Sequence, residues 1–84
     1  MLRIERIPEN GGTRLCLSGE LRSPQIDEVR AEIEKISPAL VLDLAEICAV
    51  DVEGVRWLNA CQSVGIKFEN CAPYIREWMR QEKA

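Results

Sequence analysis

The chain has 84 residues, of which 46% are apolar, 30% charged and 5% aromatic, and eleven Lys and Arg against fourteen Asp and Glu give a net charge of −3. That is the profile of one small globular domain spanning residues 1–84, not of a disordered tail or a fibre, and it leaves little volume for a deep active-site cleft. The scattered basic residues weigh against nucleic acid as a partner, and the lack of histidine removes the commonest general base and metal ligand.

Leu2, Ile4 and Ile7 suggest a first strand, and Pro8-Glu-Asn-Gly-Gly12 reads as a turn in which Asn10-Gly11 supplies positive φ. Thr13 to Ser18 alternates, with Leu15 and Leu17 on one face and Arg14 on the other, and Gly19 ends this second strand. Ser23-Pro24 is a helix-start signal, with Ser23 as N-cap, Pro24 at the first helical position, and Asp27 and Glu28 in the early turns. Ile26, Val29, Ile33 and Ile36 lie on one helical face, and Pro38 stops the helix.

Leu40-Val-Leu-Asp-Leu44 suits a parallel strand buried on both faces, with Asp43 near its end accepting hydrogen bonds from the following loop. A second helix starts near Asp51 or Glu53, with Gly54, Trp57, Leu58, Ala60, Cys61 and Val64 on its apolar arc and Arg56, Asn59, Gln62 and Ser63 opposite. Gly65 caps it, Ile66 to Glu69 alternates as a fourth strand, and Pro73 opens a last helix with Tyr74/Trp78 and Ile75/Met79 pairs. The expected architecture is α/β. A four-stranded, mostly parallel mixed sheet with an N-terminal hairpin is covered by three helices, in the order β-β-α-β-α-β-α.

Cys16, Cys48, Cys61 and Cys71 are spaced by 32, 13 and 10 residues without a CxxC pair, and most lie among apolar neighbours. Buried reduced thiols are favoured over a disulfide framework or a zinc site. The charged start of the chain lacks the apolar segment of a signal peptide, and no apolar run approaches the ~20 residues of a membrane span, so a cytoplasmic location is expected.

The conspicuous polar cluster is Asp51-Val52-Glu53-Gly54, between a strand and a helix. Capping of the helix start is the favoured reading, and a recognition site at the carboxyl end of a parallel strand is the other. No nucleophile or histidine stands beside the two carboxylates, and no phosphate loop can be written, so neither an enzyme nor a cofactor or metal is expected. Tyr74 and Trp78, with Arg76 and Arg80 nearby, are interface-type residues, but packing of the last helix is favoured for the aromatics.

Val41-Leu-Asp-Leu44, six further residues, then Asp51-Val-Glu-Gly-Val55 with Leu58 and Gly65-Ile66, resembles the STAS domain, the bacterial anti-sigma factor antagonist family. Leu17-Ser-Gly-Glu-Leu21 is similar to the strand end and turn before that family's first helix. The resemblance covers residues 2–79. It implies a regulatory protein–protein interaction module in bacterial transcription signalling, whose partner is an anti-sigma factor that is also a serine kinase. In such antagonists the kinase phosphorylates a serine just before the motif's glycine. Asp51 matches the motif's aspartate and Gly54 its glycine, while Glu53 occupies the serine position. Glutamate has no hydroxyl to phosphorylate and brings one negative charge where phosphoserine brings about −1.5 to −2. The switch is therefore expected to be lost or fixed in a phosphorylated-like state. The expected partner surface is the loop Cys48 to Val52 and the start of the second helix, with Asp51, Val52, Glu53, Gly54, Arg56 and Asn59 contributing. Other readings are an accessory subunit of a membrane transporter's ATPase, a nucleotide-sensing (GTP) module, and a thiol-redox enzyme built on the cysteines. The sequence leaves open the identity of the partner and whether a homodimer forms.

Overall fold

The computed structural model describes residues 1–36 and 40–83. Its elements are β1 (Leu2–Glu9), β2 (Gly12–Leu21), α1 (Ser23–Glu34), β3 (Leu40–Val50), α2 (Val52–Ser63), β4 (Lys67–Glu69) and α3 (Pro73–Lys83). They form one sheet in the order β1-β2-β3-β4, with β1 antiparallel to β2 and the other two pairings parallel. The expected architecture holds, both in element order and in the mixed sheet.

The hairpin turns at Asn10 and Gly11, both at positive φ. Gly19 does not end β2, which runs on to Leu21. It sits instead at φ +101, where an added Cβ would stand 2.2 Å from the Met1 carbonyl oxygen. The adjoining Glu20 N–H donates to that same oxygen at 3.3 Å. Here glycine permits the Met1 carbonyl to approach the β2 backbone closely.

β3 departs furthest from expectation. It is eleven residues long, and the register shifts against β2 between Cys16 and Ser18 and again between Gly19 and Glu20. Each shift leaves one extra β3 residue without an opposite number, as in a β-bulge. The buried positions accordingly run Leu40, Leu42, Leu44 and then Ile47, a step of three where alternation demands two. Asp43 is thus the fourth residue of a long strand and not near its end.

Both crossovers, β2-α1-β3 and β3-α2-β4, step the same way across the sheet, and right-handed connections set both helices on one face. β3 is therefore buried on one face only. The opposite face carries Arg14 in place of helices. Its guanidinium meets Asp43 at 2.9 Å, Glu9 at 3.0 Å and Glu69 at 2.6 Å, joining all four strands with a side chain 18% exposed. Burial pushes the Asp43 carboxyl up. The Ala45 N–H, the Asn70 amide and Arg14 outweigh that and hold it below the usual range.

On the covered face Leu15, Leu17, Leu21, Leu42, Leu44, Val29, Val55, Leu58 and Ile75 are fully buried. Ile26 and Val29 seat α1, and Ile33 and Ile36 pack partly against the core. The N-cap of α1 is Arg22, without a side-chain cap, and not Ser23, which lies inside the helix. No acidic residue falls in its first turn, so Asp27 and Glu28 sit too far along to act there. The stop expected at Pro38 lies outside the described residues.

α2 buries Gly54, Val55, Trp57, Leu58 and Cys61. Ala60 is exposed and Val64 is 76% exposed, so the apolar arc is turned toward Val55 relative to the expected one. Gly65 ends the helix at φ +94. The Gly65 N–H donates to Gln62 O at 3.1 Å and the Ile66 N–H to Cys61 O at 3.1 Å, the paired bonds of a Schellman turn. α3 docks through Ile75 and Met79, with Trp78 partly buried, whereas Tyr74 is 52% exposed and does not serve as packing. No described helix is long and apolar enough to cross a membrane.

Candidate functional site: the start of the second helix

The parallel strands β2 and β3 end side by side at Leu21 and Val50, and each leads into a helix, so the N-termini of α1 and α2 converge at this end of the sheet. Only Asp51 separates β3 from α2. The expected loop from Cys48 does not exist, because Cys48 to Val50 belong to the strand.

Asp51 has extended backbone (φ −109, ψ 179) and is the N-cap of α2. Its Oδ1 accepts the Gly54 N–H at 2.8 Å, and its Oδ2 accepts the Ser23 N–H at 2.9 Å. One carboxylate therefore serves the orphan donors of two helices and clips their starts together. The Ser23 N–H most of all, then the Gly54 N–H against an opposing push from burial, hold its carboxyl below the usual carboxylate range. The capping reading of Asp51 holds, with a second helix that the sequence does not reveal.

Gly54 is buried where α2 crosses the end of β2. An added Cβ would lie 2.4 Å from the Leu21 carbonyl oxygen and 3.3 Å from Asp51 Oδ1. Its role is close approach, since the residue stands in an ordinary helical conformation.

Glu53 takes no part in the capping bonds. Its exposed carboxylate pairs with Arg56 Nη1 at 3.2 Å, and Arg56 Nε meets Glu82 Oε1 on α3 at 3.0 Å. The Glu82 hydrogen bond and charge, with help from Glu53, push the Arg56 pKa up. Val52 is exposed beside Glu53. Asn59 departs from the expected surface. It is half-buried, and its Nδ2 donates to the Met79 carbonyl at 2.9 Å, tying α2 to α3. Of the six sequence candidates, Val52, Glu53 and Arg56 thus face outward, while Asp51, Gly54 and Asn59 hold the framework. Glu82 is the participant the sequence reading missed, since 26 residues separate it from Arg56 and only the docking of α3 brings it near.

All four cysteines are free, but they are not uniformly buried: Cys61 is buried, Cys16 and Cys71 half-buried and Cys48 exposed. Cys48 occupies a bulge of β3 and donates through Sγ to Gly19 O at 3.3 Å. Burial pushes the Cys61 thiol up to about 11, and also raises Cys16 and Cys71, at Cys71 against the lowering influence of Arg76. In native buffer near pH 8, a disulfide reagent should label Cys48 first and Cys61 only on unfolding. Cys61 reacting in the folded protein as fast as Cys48 would contradict this arrangement.

Among the described residues no group of three or more Cys, Asp or Glu side chains is arranged to hold a metal ion. A scan against protein-family models finds no match, and no curated protein matches the chain. The class defined by the fold and site is a small mixed α/β domain with an exposed acid–base pair at the start of α2.

Proposed function

We propose that this chain is a STAS-like protein–protein interaction module of the bacterial cytoplasm, resembling an anti-sigma factor antagonist. It meets a protein partner through Val52, Glu53 and Arg56 and works without the serine phospho-switch. The β-β-α-β-α-β-α order and the motif-like spacing of Asp51 and Gly54 support this reading. The single observation that carries it is the placement of Glu53. It is exposed in the first turn of α2, one residue before a glycine that packs directly on Leu21. A serine there would be open to a kinase, and the glutamate leaves a fixed negative charge where the helix dipole favours one.

The test pairs pull-down from the native host with kinase assays on wild type, Glu53→Ser and Arg56→Glu. Glu53→Ser should take up phosphate at position 53 and retain a kinase that wild type does not. Arg56→Glu should lose partner binding while its unfolding midpoint moves little, because the side chain is exposed. Phosphate on another Ser or Thr of wild type would overturn the loss of switching. Unaltered binding by both variants would remove the start of α2 from the interface.

A further inference from the structure

The far edge of the sheet presents a surface of opposite charge to the chain as a whole. Among the described residues β4 is the outermost strand and pairs only with β3, so its other side offers backbone N–H and C=O groups to any strand laid beside it. Alongside, β4 and α3 enclose a groove of about 680 Å³. Ile66 and Phe68, both partly buried, supply apolar surface, and Lys67, Arg76, Arg80 and Lys83 supply four cations.

Among the described residues the groove's only lining carboxylate is Glu69, which is engaged at 2.6 Å by Arg14, a cation it shares with Glu9 and Asp43. Arg80 pairs with Glu77, and Lys83 donates to Gln62 Oε1 at 2.8 Å. Lys67 and Arg76 have no carboxylate partner among the described residues. A chain of net charge −3 thus concentrates positive charge on both walls of a groove whose one side is an open strand edge.

We propose that this groove captures an extended acidic segment of a partner protein, added to the sheet as a fifth strand beside β4. Main-chain bonds to the edge would give affinity. Apolar side chains at alternate positions would settle on Ile66 and Phe68 on the covered side, beside Arg76, and the intervening carboxylates would meet Lys67 on the other face. A cation on an edge strand ordinarily deters pairing, and Lys67 on β4 together with Arg76, Arg80 and Lys83 on α3 repels a basic strand while admitting an acidic one. β4 is three residues long, so the matching segment is short, about four to six residues at ~3.3 Å per residue. This surface is separate from the start of α2 and does not depend on the STAS-like reading.

The probe is acetyl-Glu-Val-Glu-Leu-Glu-Val-amide, titrated into the ¹⁵N-labelled full chain and followed by amide shifts and hydrogen exchange. Shifts should concentrate in residues 65–71 and α3, with slowed exchange at β4. Arg76→Glu and Lys67→Glu should each weaken binding at least about tenfold, with unchanged thermal unfolding. The same peptide with lysine for glutamate should not bind, and one with a central proline should bind much more weakly, because proline removes a strand donor. No shifts at millimolar peptide, shifts centred elsewhere, or equal binding of the proline peptide would overturn the proposal. Tighter binding of a single-stranded oligonucleotide at the same residues would assign the groove to a different ligand and overturn it as well.

Discussion

Gly54→Ala should destabilise the domain, although alanine is the better helix former. In an open helix this exchange gains about 1 kcal/mol. Here the new methyl group would stand 2.4 Å from the Leu21 carbonyl oxygen, and that oxygen belongs to backbone at the end of β2. It cannot swing aside as a flexible side chain would, and the Leu21 side chain is itself fully buried. Relief requires α2 to lift from the sheet, which loosens Val55 and Leu58 and lengthens the Asp51 capping bond. Overpacking of this kind typically costs about 1–3 kcal/mol. A 2.4 Å approach to a backbone oxygen belongs in the upper part of that range, about 2–3 kcal/mol, so against the helical gain the net loss should be about 1–2 kcal/mol, read as a lower urea midpoint with unchanged slope. For a domain this small that lowers Tm by roughly 4–15 °C. Glu53→Ala, one residue away and exposed, should shift stability by no more than about 0.5 kcal/mol. A Gly54→Ala protein as stable as wild type would mean that α2 does not rest on Leu21.

These two neighbours show what the sequence discloses and what it hides. Pattern reasoning works where one element's residues determine its fate. Ile26 and Val29 mark the inner face of α1, and Gly65 marks the end of α2, because periodicity and positive φ are local properties. It fails where a second strand or helix decides. The bulges of β3 exist only relative to β2, so Asp43 looks like a strand end, and Cys48 like part of a loop, until the register is known. Asn59 carries a polar side chain on a helix, which locally reads as solvent-facing, yet its partner is the Met79 carbonyl twenty residues away. The Asp51–Gly54 spacing was legible as a cap, but the Ser23 bond was not, since α1 and α2 are joined there only in three dimensions.

The candidate site is consequently two layers with different sensitivities. Asp51, Gly54 and Asn59 act on the position of α2, while Val52, Glu53 and Arg56 act on what that position presents. If the proposed partner binds here, a substitution in the first layer lowers binding indirectly, through a displaced helix, and registers in both stability and affinity. A substitution in the second alters affinity alone. The Glu53–Arg56–Glu82 chain belongs to the second layer despite bridging two helices, because exposed ion pairs contribute little to stability.

Asp51 is where the first layer is most concentrated, and its removal should be graded. Asp51→Ala leaves both the Ser23 and the Gly54 N–H without their partner; loss of the α2 N-cap side chain costs about 1 kcal/mol and loss of the hydrogen bond to Ser23 about 1 more, so about 2 kcal/mol in all. Asn retains a single side-chain oxygen and can serve one donor but not both. Asp51→Asn should therefore lose about half as much, plus a few tenths of a kcal/mol for the charge no longer facing two helix N-termini. An asparagine variant as stable as wild type would show that the second capping bond contributes nothing. The acid limb gives an independent check. In the folded chain the Asp51 carboxyl titrates below the ~3.9 of an unfolded aspartate, so its contribution is complete above that value and is lost as pH falls through the folded pKa. Asp43, Glu9 and Glu32, also lowered, give wild type and variant the same acid sensitivity and cancel between them. The stability difference between wild type and Asp51→Ala should thus be flat from about pH 5 to 8 and shrink steadily below about pH 4. A difference that stays constant to pH 2 would mean that the carboxylate's charge has no part in holding the two helices together.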